Sequence, residues 1–203
     1  VSLQTRIVTP RLVLRAPRTS DVADLRRHLR ENAEHLRPWN PSPVPGEDPV
    51  SLTSLSAQIL RQRRQWKRGE AYVLFVTARD ERGTRDAREP LLGRVAFTGV
   101  VRGVFQNAYL GYWMDARNLG RGLMTEAVHA ALRFAFEDAL LHRVQAAIMP
   151  HNAPSLRVAE KLGFRYEGDA PRYLFIGGDW QLHRIFAMTY EEFRARERKS
   201  VSG

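Results

Sequence analysis

The 203-residue sequence predicts an α+β domain, a sheet with helices inserted among its strands, and three observations carry that reading. Apolar runs of strand length recur at Tyr72–Val76, Leu91–Val101 and Asn107–Met114, close enough in sequence to form an antiparallel meander. Stretches with apolar residues three and four positions apart flank that meander on both sides. Between the two patterns lies Tyr109–Glu126, which passes from an aromatic strand through a polar loop into a long amphipathic helix. The helix places Ala127, Val128, Ala131, Leu132, Ala135 and Phe136 on one face.

Each element has a local cause. Thr9 to Arg15 alternates apolar and charged residues, which predicts an exposed-edge or half-buried strand. Thr19, Ser20 and Asp21 offer N-caps for a helix with Val22, Leu25 and Leu29 on its inner face. That helix ends near Leu36, where Pro38 and Pro41 stop it. Pro41 to Pro49, with Gly46, reads as a surface loop. A second helix is predicted over Val50 to Lys67, with Leu52, Leu55, Ile59 and Trp66 inward and Gly69 as its stop. The charged stretch Asp80 to Glu89, containing Gly83, reads as a turn, and Gly93 and Gly99 mark bulge positions in the strand after it. Arg143 to Ile148 is a strand; Pro154 to Leu162 is a short helix with Pro154 in its first turn and Gly163 at its end. Phe164–Glu167 and Gln181–Thr189 close the sheet. Thr189 and Glu192 have the spacing of a capping box, which opens a charged C-terminal helix. No repeat or internal boundary appears, so the expectation is one domain over 1–190 with a charged helical tail over 191–203.

The loop within Tyr109–Glu126 is the first candidate site. A glycine turn that feeds a helix leaves backbone N–H groups unpaired and aligned with the positive end of the helix dipole. Glycine also lets an anion approach the backbone closely. Arg117, Gly120 and Gly122 therefore read as a pyrophosphate cradle; the alternative is an ordinary strand-to-helix turn.

Composition narrows the function classes. There is no cysteine, hence no disulfide framework, thiolate metal site or cysteine nucleophile. His142, His151 and His183 lack metal-ligand spacing, and no metal is expected. No apolar run approaches membrane-spanning length, so no membrane partner is expected and a cytoplasmic location is the default. The net charge of +10 favours an anionic ligand, ribosome or RNA proximity, or simply a solvated arginine-rich surface, since only three of the 32 basic residues are lysines.

Further motifs bring the chain close to a known family. They are Thr9-Pro10-Arg11-Leu12, the cradle, and Asn152-x-x-Ser155 ahead of Glu160-Lys161-Leu162-Gly163-Phe164. With these the sequence resembles the GCN5-related N-acetyltransferases (GNAT) over roughly residues 9 to 190. More narrowly it looks like the RimJ-type ribosomal-protein-alanine N-acetyltransferases. That likeness rests on His35-Leu36-Arg37-Pro38-Trp39, Val100-Val101-Arg102-Gly103, Leu110-Gly111-Tyr112, Gly122-Leu123-Met124, Met149 to Asn152, and Tyr173 with Gly178-x-Trp180.

The resemblance implies a mixed, mostly antiparallel sheet whose fourth and fifth strands splay apart, flanked by helices, and acetyl transfer from acetyl-CoA to an amine. It assigns cofactor binding to Tyr112, Trp113, Met114, Arg117, Asn118, Leu119, Gly120, Arg121, Gly122, Leu123, Met124, Thr125, Asn152 and Ser155. Ser155 would protonate the departing thiolate, and Trp39, Tyr109 and Tyr173 would meet the acceptor. The implied acceptor is a protein N-terminus, with a ribosomal protein as the narrower candidate, and the enzyme would be a monomer or homodimer.

The residues themselves leave alternatives open. Asn152 is equally a helix cap and Ser155 a first-turn serine. Trp39 is either a core plug or an aromatic wall for the acceptor. Tyr109, Tyr112 and Tyr173 read as packing residues before acids. The strand Tyr109–Met114 carries no carboxylate, although many relatives place a catalytic Glu there. An α-amine of pKa 7.7 to 8.0 is roughly 10 to 15% neutral at pH 7, against about 0.04% for a lysine, so an N-terminal acceptor needs only a modest base. That base is unassigned; Glu34 and Glu167 are the carboxylates to inspect. Two other functions stay in view: a small-amine (polyamine or amino-sugar) acetyltransferase of the same fold, and a ribosome- or RNA-associated assembly factor with secondary transferase activity.

Overall fold

A computed structural model of the chain describes residues 1–41, 46–79 and 90–201. The turn expected over Asp80 to Glu89 lies outside the described residues, as does the middle of the loop between Pro41 and Pro49. The strands are β1 (Arg6–Val8), β2 (Leu12–Arg15), β3 (Tyr72–Ala78), β4 (Leu91–Val101), β5 (Asn107–Met114), β6 (Arg143–Ile148), β7 (Arg165–Ile176) and β8 (Asp179–Thr189). The helices are α1 (Val22–Glu31), α2 (Ala33–Leu36), α3 (Leu52–Arg68), α4 (Leu123–Arg133), α5 (Ala153–Leu162) and α6 (Tyr190–Val201). All eight strands form one sheet in the order β1-β2-β3-β4-β5-β6-β8-β7. Among the described residues, no helix is long and apolar enough to cross a membrane.

Every neighbouring pair is antiparallel except β5–β6, which is parallel because α4 carries the chain from the end of one strand to the start of the other. That pair is short. Asn107 to Leu110 match Arg143 to Ala146, and there the pairing stops. Beyond it β5 stays fastened to β4 as far as Met114↔Gly93, while β6 stays fastened to β8 as far as Ile148↔Arg184. The two strands thus part while each keeps its outer partner, and their inner edges are left free.

Period-two alternation sorts the side chains onto the two faces. Tyr72, Leu74 and Val76 join a large cluster with Val95, Phe97, Leu110 and the inner faces of α4 and α5. Val73 and Phe75 join a smaller one with Leu25 of α1, Leu55 and Ile59 of α3, Leu91 and Ala96, against which Trp113 packs. Trp66 anchors α3 to the larger cluster. It is buried, its ring meets Tyr72 and Phe134 at 5.2 and 5.5 Å, and its Nε1 donates to Ser2 O at 3.1 Å. Gly69 and Gly163 end α3 and α5 in the left-handed conformation, as their positions predict. The capping box is reciprocal: Thr189 N–H donates to Glu192 Oε2 at 2.8 Å and Glu192 N–H to Thr189 Oγ1 at 3.4 Å.

Three expectations need correction. The strand expected over Thr9 to Arg15 begins only at Leu12, as β2, and a further strand, β1, precedes the expected range and is joined to it through Thr9–Arg11. Strand β2 is buried on both faces because β1 takes the edge. Helical periodicity turns Leu52 inward, but it is 48% exposed, since it is the first residue of α3 and precedes the face formed by Leu55, Ile59 and Trp66. The closing hairpin is far longer than Phe164–Glu167 with Gln181–Thr189: β7 runs on to Ile176 and turns through Gly177 and Gly178, both at positive φ. Its mostly exposed residues, with Gly168 and Pro171 among them, hide the strand period, and a proline is tolerated there because β7 is an edge strand.

Truncating Trp66 to Ala is expected to lower the unfolding free energy by about 3–5 kcal/mol, whereas Leu52→Ala changes it by about 0.5 kcal/mol or less. Paired denaturant titrations check the contrast; equal losses at both positions would contradict the inward face assigned to α3.

Candidate active site

Where β5 and β6 part, a cleft of about 440 Å³ opens through the sheet. One end is made by the turn between β5 and α4. Gly120 and Gly122 both take φ of +73°, and Gly122 is the N-cap of α4 with no side chain capping the helix. The first helical bond runs from Glu126 N–H to Gly122 O, so the amides of Leu123, Met124 and Thr125 have no intrahelical acceptor. A Cβ on Gly122 would meet only Arg11 Nη2, at 3.7 Å, so a side chain there is excluded by backbone conformation, at about 1–2 kcal/mol, and not by crowding. This donor set fits a pyrophosphate.

Two polar networks hold the turn in place. Asp115, buried at the end of β5, accepts from Arg117 N–H at 2.9 Å and from Arg117 Nη2 at 2.6 Å. The Arg117 bonds hold its carboxyl well below the usual range against the opposing effect of burial. Arg117 also bonds Glu31 of α1 at 2.8 Å, and Asn32 Oδ1 accepts from Ala116 N–H at 2.8 Å. Buried His28 brings Nδ1 within 3.1 Å of Asp115 Oδ2 without hydrogen-bond alignment, and burial lowers its pKa. His28, Glu31 and Asp115 have metal-ligand proximity, but the Arg117 guanidinium occupies the Asp115 oxygen that a cation would need. On the other side of the turn, Glu126 Oε1 accepts from Thr9 Oγ1 at 2.6 Å and from Arg11 N–H at 3.0 Å. Arg11 Nη1 donates to Arg121 O at 2.9 Å. The Thr-Pro-Arg motif is therefore a brace for the first turn of α4.

Of the residues singled out from sequence, Tyr112, Trp113, Met114, Asn118, Leu119, Gly120, Gly122, Leu123, Met124, Thr125, Asn152, Ser155 and Trp39 line this one cleft. Asn152 does cap α5, its Oδ1 accepting from Ser155 N–H at 3.2 Å, and that bond leaves its two amide hydrogens unused. Tyr112 O–H donates to Ser155 O at 3.1 Å, and burial pushes the phenol pKa up, so Tyr112 stays protonated. Trp39 is half-buried and lines the cleft, 5.3 Å from the His151 ring, so it is not a core plug.

Other residues stand outside the wall. Arg117 and Arg121 support the turn as described. Tyr109 is exposed on β5, and Tyr173 packs on His183 at 5.4 Å. Glu34 is exposed on α2. Glu167 is held by Arg143 at 2.6 and 2.8 Å and by Arg165 at 2.9 Å, which brings its pKa down to about 2. Sequence reasoning missed Arg157 and Lys161, exposed cations at the rim, and His35, Arg94 and His183 on the far side. Pro154, Arg157, Val158 and Lys161 keep the i, i+3, i+4, i+7 spacing of one helix face, which is the signal that could have found the first two. Among the described residues, no Asp or Glu lines the cleft.

An anion cradle at one end, two free strand edges along the walls and a serine at the start of α5 form a site that fits a long ligand with a diphosphate at one end. The acetyltransferase (GNAT) domain family matches residues 11–165, and the chain belongs to that family. It is an acetyl-CoA-dependent N-acetyltransferase. It is 34% identical over 186 residues to the [ribosomal protein uS5]-alanine N-acetyltransferase of Escherichia coli (strain K12), covering 92% of this chain and 91% of that one. The structure of Mycobacterium smegmatis RimJ in complex with CoA-disulfide superposes with a TM-score of 0.84 at 28% identity, over 98% of this chain and 95% of that one. The ribosomal-protein-S5-alanine acetyltransferase of Vibrio fischeri gives a TM-score of 0.83 at 25% identity, over 93% and 98%.

The Glu167 cluster predicts a pH effect of definite sign. A carboxyl whose folded pKa is about 2, against an ordinary 4.5, stabilises fully above about pH 4.5 and loses that contribution as the pH falls towards 2. The stability gap between the natural protein and Glu167→Gln is therefore expected to be widest above pH 4.5 and to close towards pH 2. A gap that is constant across this range in denaturant titrations would contradict the pairing.

Proposed function

We propose that the acceptor is the α-amine of a protein N-terminus beginning with alanine, and that a ribosomal protein supplies it. The observation that carries this reading is the lack of any carboxylate among the described residues of the cleft. A lysine or polyamine is almost wholly protonated at neutral pH and calls for an anionic base or counter-charge. An α-amine is already neutral in part and needs little more than positioning. The E. coli and V. fischeri relatives, whose names specify ribosomal-protein alanine as acceptor, support the same reading.

Bound acetyl-CoA supplies an activated acetyl thioester. In this proposal the backbone amides from Gly120 to Thr125 receive its pyrophosphate, with Arg157 and Lys161 adding charge at the rim. The free inner edges of β5, from Gly111 to Met114, and of β6, at Ala147 and Ile148, pair with the pantetheine amides, and the Asn152 amide donates to the same arm. A β5 N–H polarises the acetyl carbonyl. Trp39 forms a wall of the acceptor side. Ser155 Oγ gives a proton to the departing sulfur. Tyr112, protonated and bonded to Ser155 O, fixes the start of α5 beside it.

The test is thiol release from acetyl-CoA with two peptides at neutral pH: one begins with a free Ala, the other is blocked at its N-terminus and carries a lysine. Turnover of the first alone, with the acetyl group mapped to the α-amine, is expected. Preference for the blocked peptide would overturn the proposal. Ser155→Ala is expected to lower kcat by about 10²-fold while acetyl-CoA still binds; an unchanged kcat would remove Ser155 from proton transfer.

A further inference from the structure

Arg94 is the charged group of the cleft that the reaction leaves unused. The register of β4 sets it between Phe75 of β3 and Trp113 of β5, two residues from Ala96 and on the same face. Its surroundings are therefore those of the smaller apolar cluster beneath α1 and α3. The side chain is half-buried and lines the cleft, and its Nε is buried with no partner. It has no hydrogen bond or ion pair among the described residues, and burial alone pulls its pKa down.

Two other arginines that are at least half-buried are held by acids: Arg15 is bound at 2.8 and 2.9 Å by Asp21, and Arg143 is bound by Glu167. Arg26 on α1 shares with Arg94 a buried Nε without a partner but does not line the cleft. A guanidinium withdrawn from water without an anion is costly, and it stays charged because arginine does not give up its proton in proteins. Among the described residues no acid supplies that anion, and an acidic ligand entering the cleft would. The cosubstrate's phosphates are a poor match, because α4, whose N-terminus forms the cradle, packs on the opposite face of the sheet. Arg94 pairs with Trp113 on the face away from α4 and lines the same cleft as Trp39, the residue that the proposed function sets on the acceptor side.

We infer that Arg94 is a specificity-determining residue that binds an acceptor carboxylate, the side chain of an Asp or Glu at the second or third position of the peptide. The inference rests on the N-terminal reading of the acceptor. The planar fork of the guanidinium matches a carboxylate through two parallel bonds, and inside an apolar cleft such a pair discriminates strongly between an acid and its amide. The enzyme thus selects N-termini by the side chains next to the alanine as well as by the amine.

The test compares kcat/KM for three peptides that differ only at positions two and three: Ala-Asp-Asp, Ala-Asn-Asn and Ala-Lys-Lys. The acidic peptide is expected to exceed the amide peptide by roughly tenfold or more, with the basic peptide slowest. Arg94→Met is expected to bring the acid-to-amide ratio close to one, and Arg94→Lys, which keeps the charge but loses the fork, to retain only part of it. A purely structural role for Arg94 lowers all three peptides in parallel and leaves the ratio intact, which overturns the inference. So does a natural enzyme that turns over the acidic and amide peptides equally, although the N-terminal reading then stands. Silence on all three peptides overturns both. Should Arg94→Met fail to fold, the natural ratio and the Arg94→Lys ratio decide the matter.

Discussion

The structure depends on a parallel pair of strands that is allowed to pair for only four residues. Strand edges normally demand partners, because every buried N–H and C=O left alone is costly. Here β5 and β6 are each held on their outer sides by β4 and β8, so they part without fraying. In the proposed function the free edges serve for the same reason that they are costly: a ligand with amides at strand spacing would complete the sheet. The crossover that makes the pair parallel is α4, and its N-terminus is the proposed anion site. A single topological choice thus supplies both the slot and the charge that orients its occupant.

The remaining requirement is rigidity of the turn. Two glycines in the left-handed region create it and also loosen it. The chain compensates from both directions. Asp115, Asn32, Arg117 and Glu31 tie it to α1, and Thr9, Arg11 and Glu126 tie the first turn of α4 to the β1–β2 connection. The cation that looks from sequence like a phosphate ligand, Arg117, is engaged by Asp115 and Glu31 as a strut. Positive charge at the rim comes instead from Arg157 and Lys161 on α5.

The features legible in the sequence have local causes. The glycine turn, the helix stops at Gly69 and Gly163, the Thr189–Glu192 box and the boundaries of β4, β5 and β6 all arise from residues within a few positions of one another. The features that were not legible depend on distant parts of the chain. No spacing rule links Arg11 to Glu126 or Asn32 to Ala116, and the edge strand β7 has no apolar period to reveal it. Arg94 gives no signal within an apolar strand until the structure shows no acid beside it among the described residues. Trp39 belongs to the same group: its flanking prolines place it in a loop, but only the fold shows which surface that loop covers.

The most direct measurement is a crystal structure of the protein with CoA. The account predicts the pyrophosphate against the amides of Gly120 to Thr125, the pantetheine arm bonded to the inner edges of β5 and β6, and the sulfur beside Ser155. CoA bound elsewhere, or bound with β5 and β6 zipped together past Leu110 and Ala146, would contradict it.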